Sequence, residues 1–288
     1  MKRTVLLVLL TMFSGCESPF APRTLVERLR LLGIRAEPPE ISPLGSTELG
    51  VLVADPAGGG RPLTCSWAVC LIDLGYSAAE IDCPGPGSYL LEGDCEGAHL
   101  DLPELAGWLA ENGFDPEMLP EEIPEGADID EVPLFVGVEV FAGDDYVRGI
   151  KRIGVNMTGE EFNSNPVLTG LRANGVDLGD SGLRADMGSR IELEPVIDEA
   201  SREMYQRQGE EEDRLEDFLF SWFSTSGEFK DRRTILDVDP DGQRLDINEW
   251  DVSGDYALPG PGDLWLVVRD GRYGTDWLTL PIEVLEPD

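Results

Sequence analysis

The sequence predicts an all-β protein made of two sandwich domains in tandem, on the strength of three observations. Short stretches in which apolar and polar residues alternate are separated by Pro, Gly and Asp, a pattern typical of strands joined by turns. One set of landmarks occurs twice in the 288 residues, which indicates a duplicated module. Each copy carries a Trp near its middle, Trp67 and Trp222, and this is where an immunoglobulin-like (Ig-like) sandwich has a core Trp. We therefore predict two Ig-like domains.

Short repeated sequences align the two modules. Gly33-Ile34-Arg35-Ala36 in the first copy corresponds to Gly170-Leu171-Arg172-Ala173 in the second, and a Ser-Trp pair follows each of them. With a linker near residues 158–165, this alignment places domain 1 at residues 28–158 and domain 2 at residues 163–286.

The first sixteen residues have the pattern of an export signal. Lys2 and Arg3 precede an apolar run that is too short to span a bilayer, and small residues follow it. Phe13-Ser14-Gly15-Cys16 resembles the bacterial lipobox, in which the cysteine is diacylated and the peptide is cut just before it. The resemblance implies a signal peptide over residues 1–15 and membrane attachment through a lipid on Cys16. A plain signal peptide that leaves Cys16 free is the alternative.

Residues 16–27 contain Ser18, Pro19 and Pro22 and are predicted to form a short lipidated tether. Glu17 follows the acylated position. In enteric lipoproteins an Asp there favours retention at the inner membrane, so the resemblance implies the outer membrane for this chain.

Each copy is predicted to contain an early strand and to close with a hairpin. The early strands are residues 47–54 and 190–198, and the hairpins turn at Gly143-Asp144-Asp145 and at Asp270-Gly271. Within each strand the apolar residues alternate and therefore share one face. These inward residues are Thr47, Leu49, Val51, Val53, Leu134, Val136, Val138 and Val140 in the first copy, and Ile191, Leu193, Leu264, Leu266 and Val268 in the second.

An acidic insertion makes domain 1 longer than domain 2. Between residues 62 and 147 there is no Lys or Arg, against twenty Asp and Glu. Inside the insertion, Asp101-Leu102-Pro103-Glu104 is typical of a helix start and Asn112-Gly113 of a helix stop, so a short helix is predicted. The segment 200–217 of domain 2 is rich in Glu and Arg and is predicted to be a short exposed helix or a mobile loop.

Four cysteines in this region, Cys65, Cys70, Cys83 and Cys95, are predicted to form two disulfides, because their number is even and the domain is exported. Pairing Cys65 with Cys70 is the least favoured, because five residues of strand separate them by roughly 16 Å. We favour Cys70 with Cys83 and Cys65 with Cys95, and the third connectivity stays open. A zinc site of four thiolates is the alternative.

The strings LLGIRAEPPEISPLGSTELGVLVADP, NSNPVLTGL and LWLVVRDGRYGTDWLTLPIEVL, with a Trp and a Cys after the first, resemble a group of two-domain lipoproteins of myxobacteria and their relatives. The resemblance covers most of the mature chain. It implies the tandem Ig-like fold and the lipid-anchored location, and it implies no activity.

Composition limits the partners. The formal net charge is −35 at pH 7, which excludes nucleic acid and disfavours a bare anionic bilayer, whereas cationic partners are allowed. Apolar residues make up 41% and aromatic residues 8%, as in folded proteins, so the acidity does not indicate disorder.

The motif Asp237-x-Asp239-x-Asp241-Gly242 is a candidate calcium loop, because alternate carboxylates and a Gly turn suit a hard cation. It departs from an EF-hand, since Asn248 occupies the twelfth position and Glu249 comes one residue late. A solvated Asp-Gly turn between strands is the alternative interpretation.

Two further features suggest chemistry or binding. Gly179-Asp180-Ser181-Gly182 matches the tetrapeptide around the nucleophile of chymotrypsin-like proteases, but His99 lacks that family's sequence context, so we disfavour this reaction. Trp265, Tyr273 and Trp277 are predicted to point outward from the closing hairpin, either as an aromatic face that binds sugar or protein, or packed against the linker or domain 1.

We therefore expect a lipid-anchored envelope protein with a non-enzymatic binding or structural role, attached through Cys16. Its expected partner is an envelope protein or polysaccharide, and calcium is the candidate cofactor. The alternatives are a calcium-dependent adhesion module, and a hydrolase that uses acidic residues to act on envelope polysaccharide or peptide.

Overall fold

The structure is a computed structural model that describes residues 21–70, 83, 88–112, 131–159, 162–179, 182–206 and 212–286. Almost all of its regular structure is β-strand. Domain 1 contains β1 (Arg30–Glu37), β2 (Glu40–Ile41), β3 (Ser46–Ala54), β4 (Thr64–Cys70), β5 (Tyr89–Leu91), β6 (Ala98–Asp101), helix α1 (Leu102–Glu111), β7 (Glu131–Ala142) and β8 (Asp145–Asn156). Domain 2 contains β9 (Leu168–Ala173), β10 (Val176–Asp177), β11 (Leu183–Asp186), β12 (Arg190–Ile197), β13 (Met204–Gln206), β14 (Asp213–Leu215), β15 (Leu219–Ser224), β16 (Glu228–Phe229), β17 (Arg233–Ile235), β18 (Asn248–Asp251), β19 (Gly260–Arg269) and β20 (Thr275–Leu285).

The two domains share one sheet topology, to which domain 2 adds the short strands β10 and β16 at the edges of its first sheet. In domain 1 a sheet of order β1-β3-β6 faces one of order β2-β8-β7-β4-β5, and in domain 2 the orders are β10-β9-β12-β18-β16 and β11-β20-β19-β15-β17. All pairs are antiparallel except β2 with β8 and β11 with β20, in which a short early strand runs parallel to the last strand of its domain. The prediction of two tandem Ig-like sandwiches is confirmed.

Each sandwich encloses one apolar core around the predicted Trp. Trp67 on β4 is 1% exposed and Trp222 on β15 is 0% exposed, so both are core residues. Their indole N–H groups donate to Asp94 O and Thr234 Oγ1, each at 2.8 Å, which satisfies the polar atom that burial would otherwise leave unpaired. The inward faces of the closing hairpins pack into these cores as the alternation predicted.

The predicted helix in the insertion is α1. The Asp101 side chain accepts a hydrogen bond of 2.9 Å from Glu104 N, which caps the first turn, and the helix ends at Asn112. Leu105 is buried in the core of domain 1, and Trp108 and Leu109 pack against it. The helix therefore closes one end of the first sandwich.

The two disulfides join Cys65 to Cys95 and Cys70 to Cys83, which confirms the favoured pairing. Cys83 lies over the outer face of β7. A Cβ on Gly137 would be 2.8 Å from Cys83 Sγ, so a side chain there would displace the disulfide.

Two predictions about segments are wrong. Where a short exposed helix or a mobile loop was predicted over residues 200–217, the described residues contain two paired strands, β13 and β14, which run antiparallel from the pair Met204–Leu215 to the pair Gln206–Asp213. The tether is shorter than residues 16–27, because Leu25 forms a parallel bridge with Ser224 at the end of β15, beyond the residues that pair with β17. Val26 N donates to Ser224 O at 2.8 Å and Ser224 N donates to Thr24 O at 3.0 Å, so these residues belong to the folded body.

Residues 1–20 lie outside the described residues, and with them the predicted signal peptide and Cys16. In the part of the chain that the structure describes, no helix has the length and apolar character needed to cross a bilayer.

Candidate functional site

The two domains share an apolar cluster of their own, separate from the two sandwich cores. Leu32, Leu52 and Ala54 on β1 and β3 contribute the domain 1 side, and Val26 joins them from the N-terminal segment. Domain 2 contributes Phe223, Trp265 and Val267, with Trp277 packed against them. We call this contact region and the polar bonds around it the domain junction.

The junction corrects the prediction of an exposed aromatic face. Trp265 is 5% exposed and Trp277 is partly buried, both against domain 1. Tyr273 is also partly buried, and burial and then a hydrogen bond to Glu131 of domain 1 raise its pKa. The aromatic side chains point outward from their own sandwich, as the alternation predicted, but domain 1 covers them, which was the alternative interpretation.

A buried polar linker fixes the junction beside this cluster. The Asn165 amide donates to Ala36 O and to Glu37 Oε2, each at 2.7 Å, and its oxygen accepts from Thr275 N at 2.7 Å. One side chain thus bonds both domains, and it is only 7% exposed. Because two of these bonds are buried and the third is partly buried, leaving their donors and acceptors unpaired would cost more free energy than the bonds contribute.

Asn163, two residues before Asn165, also forms hydrogen bonds to both domains. Its backbone N–H donates to Glu40 Oε2 of domain 1 at 2.5 Å, and its amide donates to Asp270 Oδ2 at 3.1 Å and Arg272 O at 2.8 Å in domain 2. Burial raises the pKa of both Glu40 and Asp270, while these hydrogen bonds oppose the shift. Glu40 and Asp270 therefore act as hydrogen-bond acceptors that hold the two domains together through Asn163.

Glu216 is a third buried carboxyl, at 0% exposure. Burial raises its pKa to about 7, against hydrogen bonding from Glu203 N and the nearby Arg272. Arg272 Nη1 lies 3.1 Å from Glu216 Oε1, and the Arg272 guanidinium lies over the ring of Tyr205, 5.0 Å from the ring centroid. The raised pKa thus arises from enclosure under the β13–β14 hairpin.

A cleft opens at the surface of the junction, which we call the junction cleft. Its volume is about 460 Å³, and it is lined by residues 31–34 of β1, residues 148–152 of β8, and residues of the β19–β20 turn from Arg269 to Thr275. The lining includes the cations Arg148, Lys151, Arg152 and Arg269. This is within the size range of small-molecule sites, which run from about 300 to 1,000 Å³.

Backbone strain marks the floor of the junction cleft. Tyr273 has a φ of 88°, a left-handed conformation that an aromatic residue adopts at a cost of roughly 1–3 kcal/mol. The strained turn is held from domain 1, because Lys151 Nζ donates to Tyr273 O and, at 3.0 Å, to Thr275 Oγ1. The Arg152 guanidinium lies 4.6 Å from the centroid of the Tyr273 ring.

The DxDxDG motif does not form a metal centre. Among the residues that the structure describes, no three acid, His or Cys side chains are grouped so as to hold a metal ion. Asp239 Oδ1 instead accepts from Asp241 N at 2.9 Å and from Gln243 N at 2.8 Å, and Gly242 has a φ of 82°. This geometry is that of an Asx-stabilised turn, so calcium binding by Asp237, Asp239 and Asp241 has no support from it.

The protease-like tetrapeptide also finds no support. Asp180 and Ser181 lie outside the described residues. His99 is on β6, where its Nδ1 lies 2.7 Å from Glu48 Oε1 on the neighbouring strand. His99 is therefore engaged in a cross-strand pair on the surface of domain 1.

Comparison with known proteins gives only distant likenesses. No protein-family model matches the chain, and no curated protein matches it. The N-terminal Ig1-2 module of the Drosophila receptor protein tyrosine phosphatase DLAR is 10% identical, with a TM-score of 0.25, 91% of this chain covered and 100% of that one. The D00-D0 domain of intimin is 8% identical, with a TM-score of 0.26 and coverages of 90% and 98%. Likeness at this level says nothing about what the chain binds.

Proposed function

We propose that this protein is a lipid-anchored, non-enzymatic protein of the bacterial cell envelope that uses its two Ig-like domains as one fixed binding or spacing unit. The domain junction is the observation that carries the proposal. An apolar cluster and buried hydrogen bonds from Asn163, Asn165 and Lys151 hold the domains at one angle. Such a contact presents a composite surface that neither domain has alone.

The position of the N-terminal segment supports anchoring close to the junction. Thr24 to Val26 are bonded to β15, so at most eight residues separate Cys16 from the folded body, roughly 28 Å when extended. A second cleft of about 590 Å³ lies between this segment and residues 145–147, and its lining contains Arg23, Arg28 and Arg30 against Glu27 and Asp145. In a chain of net charge −35, this small local excess of cations lessens the repulsion between the anchored end and an anionic leaflet.

The buried carboxyl groups support a role without catalysis. A hydrolase needs acids that reach substrate, and the carboxyls with the clearest environment for acid–base work are Glu40, Glu216 and Asp270. All three are less than 10% exposed; Glu40 and Asp270 are bonded to Asn163 of the junction, and Glu216 accepts from Glu203 N within domain 2. We therefore connect the protonation of these carboxyl groups with the packing of the folded chain and not with a substrate. We propose the outer membrane as the location, because Glu17, and not Asp, follows the acylated position by resemblance to enteric lipoproteins.

The anchoring test is mass spectrometry of the N-terminal peptide, combined with detergent phase partition of cell extracts. We expect a fatty-acylated Cys16 as the first residue and the chain in the detergent phase, and Cys16→Ala should move it to the aqueous phase. Position 16 found unmodified, in a chain that stays in the aqueous phase, would refute the anchor.

The binding test uses a photo-crosslinking amino acid in intact cells. One variant carries it at Ile150, 38% exposed at the junction cleft, and the matched control carries it at Val176, 66% exposed on β10 of domain 2. We expect one crosslinked species from position 150 that position 176 does not give. Equal labelling from both positions would contradict recognition at the junction, and only the spacing role would remain.

A further inference from the structure

The charge of the junction cleft is opposite to that of the protein. The chain has 57 Asp and Glu against 22 Lys and Arg, so a surface region of average composition is acidic. Among the described residues that line the cleft there are four cations and no Asp or Glu. The lining also includes Gly33, Gly149, Gly271 and Gly274, which leave the backbone accessible. A cationic cleft in this chain is a local feature that needs a physical reason.

Lys151 is the most enclosed of these cations. It is 7% exposed, and the structure gives its ammonium group two acceptors, Tyr273 O and Thr275 Oγ1, both uncharged. An ammonium has three N–H donors, so the described contacts leave one donor unused at the cleft. Burial, opposed by the attraction of Asp270 and aided by the repulsion of Arg269, lowers the pKa of Lys151 to about 8.

Arg269 is enclosed beside it in the same way. Its guanidinium donates to Leu32 O at 3.2 Å and to Ser221 Oγ at 3.4 Å, again uncharged acceptors. Burial and then Arg233 lower its pKa. Within the described residues, neither Lys151 nor Arg269 has a carboxylate at ion-pair distance, because Asp270 is bonded to Asn163, Arg272 N and Gly274 N. Two partly desolvated cations that repel each other are costly unless an anion joins them.

We propose that the junction cleft binds a phosphate group, held by Lys151 and Arg269 within the junction and by Arg148 and Arg152 at its rim. This names a ligand class for the binding role proposed above. Guanidinium forks match the geometry of phosphate oxygens, and a doubly charged group suits four cations better than one carboxylate does. The Ile150 and Leu31 side chains line the same cleft and would contact an apolar part of the ligand.

The net charge of the protein does not prevent this binding. At about 0.15 M salt the Debye length is about 8 Å, so the acidic surfaces beyond the cleft are screened, whereas contacts within it are not. The same chemistry has two sources in an envelope, free phosphate and the phosphate of a lipid headgroup, and the experiment separates them.

The experiment is calorimetric titration of the purified full chain with inorganic phosphate, with glycerol 3-phosphate, and with vesicles of phosphatidylglycerol in phosphatidylcholine. Glucuronate is the carboxylate control. We expect saturable binding of inorganic phosphate and glycerol 3-phosphate and at least tenfold weaker binding of glucuronate. Binding of the vesicles, with no binding of the soluble phosphates, would overturn the enclosed site in favour of surface attraction to a bilayer.

Variants test the residues. Lys151→Met should weaken phosphate binding at least tenfold, and Arg148→Gln, which changes an exposed residue and should not disturb folding, should weaken it threefold or more. Arg184→Gln is the matched control, because Arg184 is an exposed strand Arg that pairs with Glu283 away from the cleft. Absence of heat and of a melting shift at ~10 mM phosphate, where a millimolar site is largely filled, would overturn the proposal. The titration does not depend on acylation, so its failure is distinguishable from failure of the anchor.

Discussion

Trp277 of domain 2 lies against Gly33 of domain 1, and a Cβ on Gly33 would be 3.4 Å from Cε3 of the indole. The same Cβ would be 3.6 Å from Val267 Cγ1. Gly33 follows an irregularity in the pairing of β1 with β3, so the strand bends where domain 2 approaches. The absence of a side chain at residue 33 therefore sets the distance between the domains.

Gly33→Val should disturb the junction without disturbing either sandwich. A Cβ would lie in ordinary van der Waals contact with Trp277 and Val267, so the additional γ-carbons of Val would press against these side chains, and we expect a loss of roughly 1–3 kcal/mol of unfolding free energy. Urea denaturation measures the loss, and small-angle X-ray scattering should show a longer maximum dimension. Gly170→Val is the matched control, because the Cβ there would meet nothing nearer than 3.9 Å. Equal effects of the two substitutions would contradict this account of the junction.

The sequence predicted those features of the fold that depend on neighbours along the chain. The alternation of Val136, Val138 and Val140 predicts a one-sided strand, and Asp101 with Glu104 predicts a helix start, because both signals act within a few residues. Strand geometry also disfavoured one of the three cysteine connectivities, the one that pairs Cys65 with Cys70, and left two open.

The sequence analysis left the packing of Trp265 and Trp277 against domain 1 as one of two interpretations, although a further signal favours it. Val51-Leu52-Val53-Ala54 and Leu264-Trp265-Leu266-Val267-Val268 are continuous apolar runs, which indicate strands buried on both faces. The polar half of the site had no comparable signal. Lys151 and Thr275 are 124 residues apart, and their contact depends on the angle between domains, which no local pattern encodes.

The two disulfides should differ in how much they stabilise domain 1. Cys65 and Cys95 are separated by 30 residues and Cys70 and Cys83 by 13, so loop-closure entropy predicts that Cys65→Ala/Cys95→Ala costs about 0.7 kcal/mol more than Cys70→Ala/Cys83→Ala. Each pair should cost roughly 2–4 kcal/mol. Urea denaturation of the two double variants measures the difference. A larger loss for the Cys70 and Cys83 pair would show that contacts over Gly137, and not chain entropy, dominate.

The loop from Asp237 to Gly242 should be insensitive to calcium. Asp239→Ala removes the acceptor of two backbone N–H groups and should cost roughly 1 kcal/mol with or without the ion. Asp241→Ala should cost less, because the turn bonds involve its N–H and not its carboxylate. Melting temperatures in millimolar calcium and in a chelator provide the comparison. A rise with calcium that both substitutions abolish would restore the calcium-loop hypothesis.

Because burial raises the pKa of Glu216, the unfolding free energy of the protein should fall as pH rises. Its pKa is about 7 in the folded chain and ordinary, near 4.5, in the unfolded chain, so between these values the folded state holds the extra proton. The stabilisation is therefore complete below about pH 4.5 and is lost as pH rises to about 7, by roughly 3 kcal/mol in all. The groups that face Glu216 are Glu203, Asp270 and Arg272.

Glu216→Gln tests this dependence, because the amide has no charge to desolvate. Between pH 4.5 and 7 the unfolding free energy of the variant should fall less steeply than that of the native chain, and the difference between the two curves isolates this group from the general repulsion of a protein with charge −35. Glu228→Gln on β16, an exposed position, should leave the slope unchanged. If the Glu216→Gln curve runs parallel to the native one, the carboxyl is ionised in the folded protein and Arg272 compensates its burial in full.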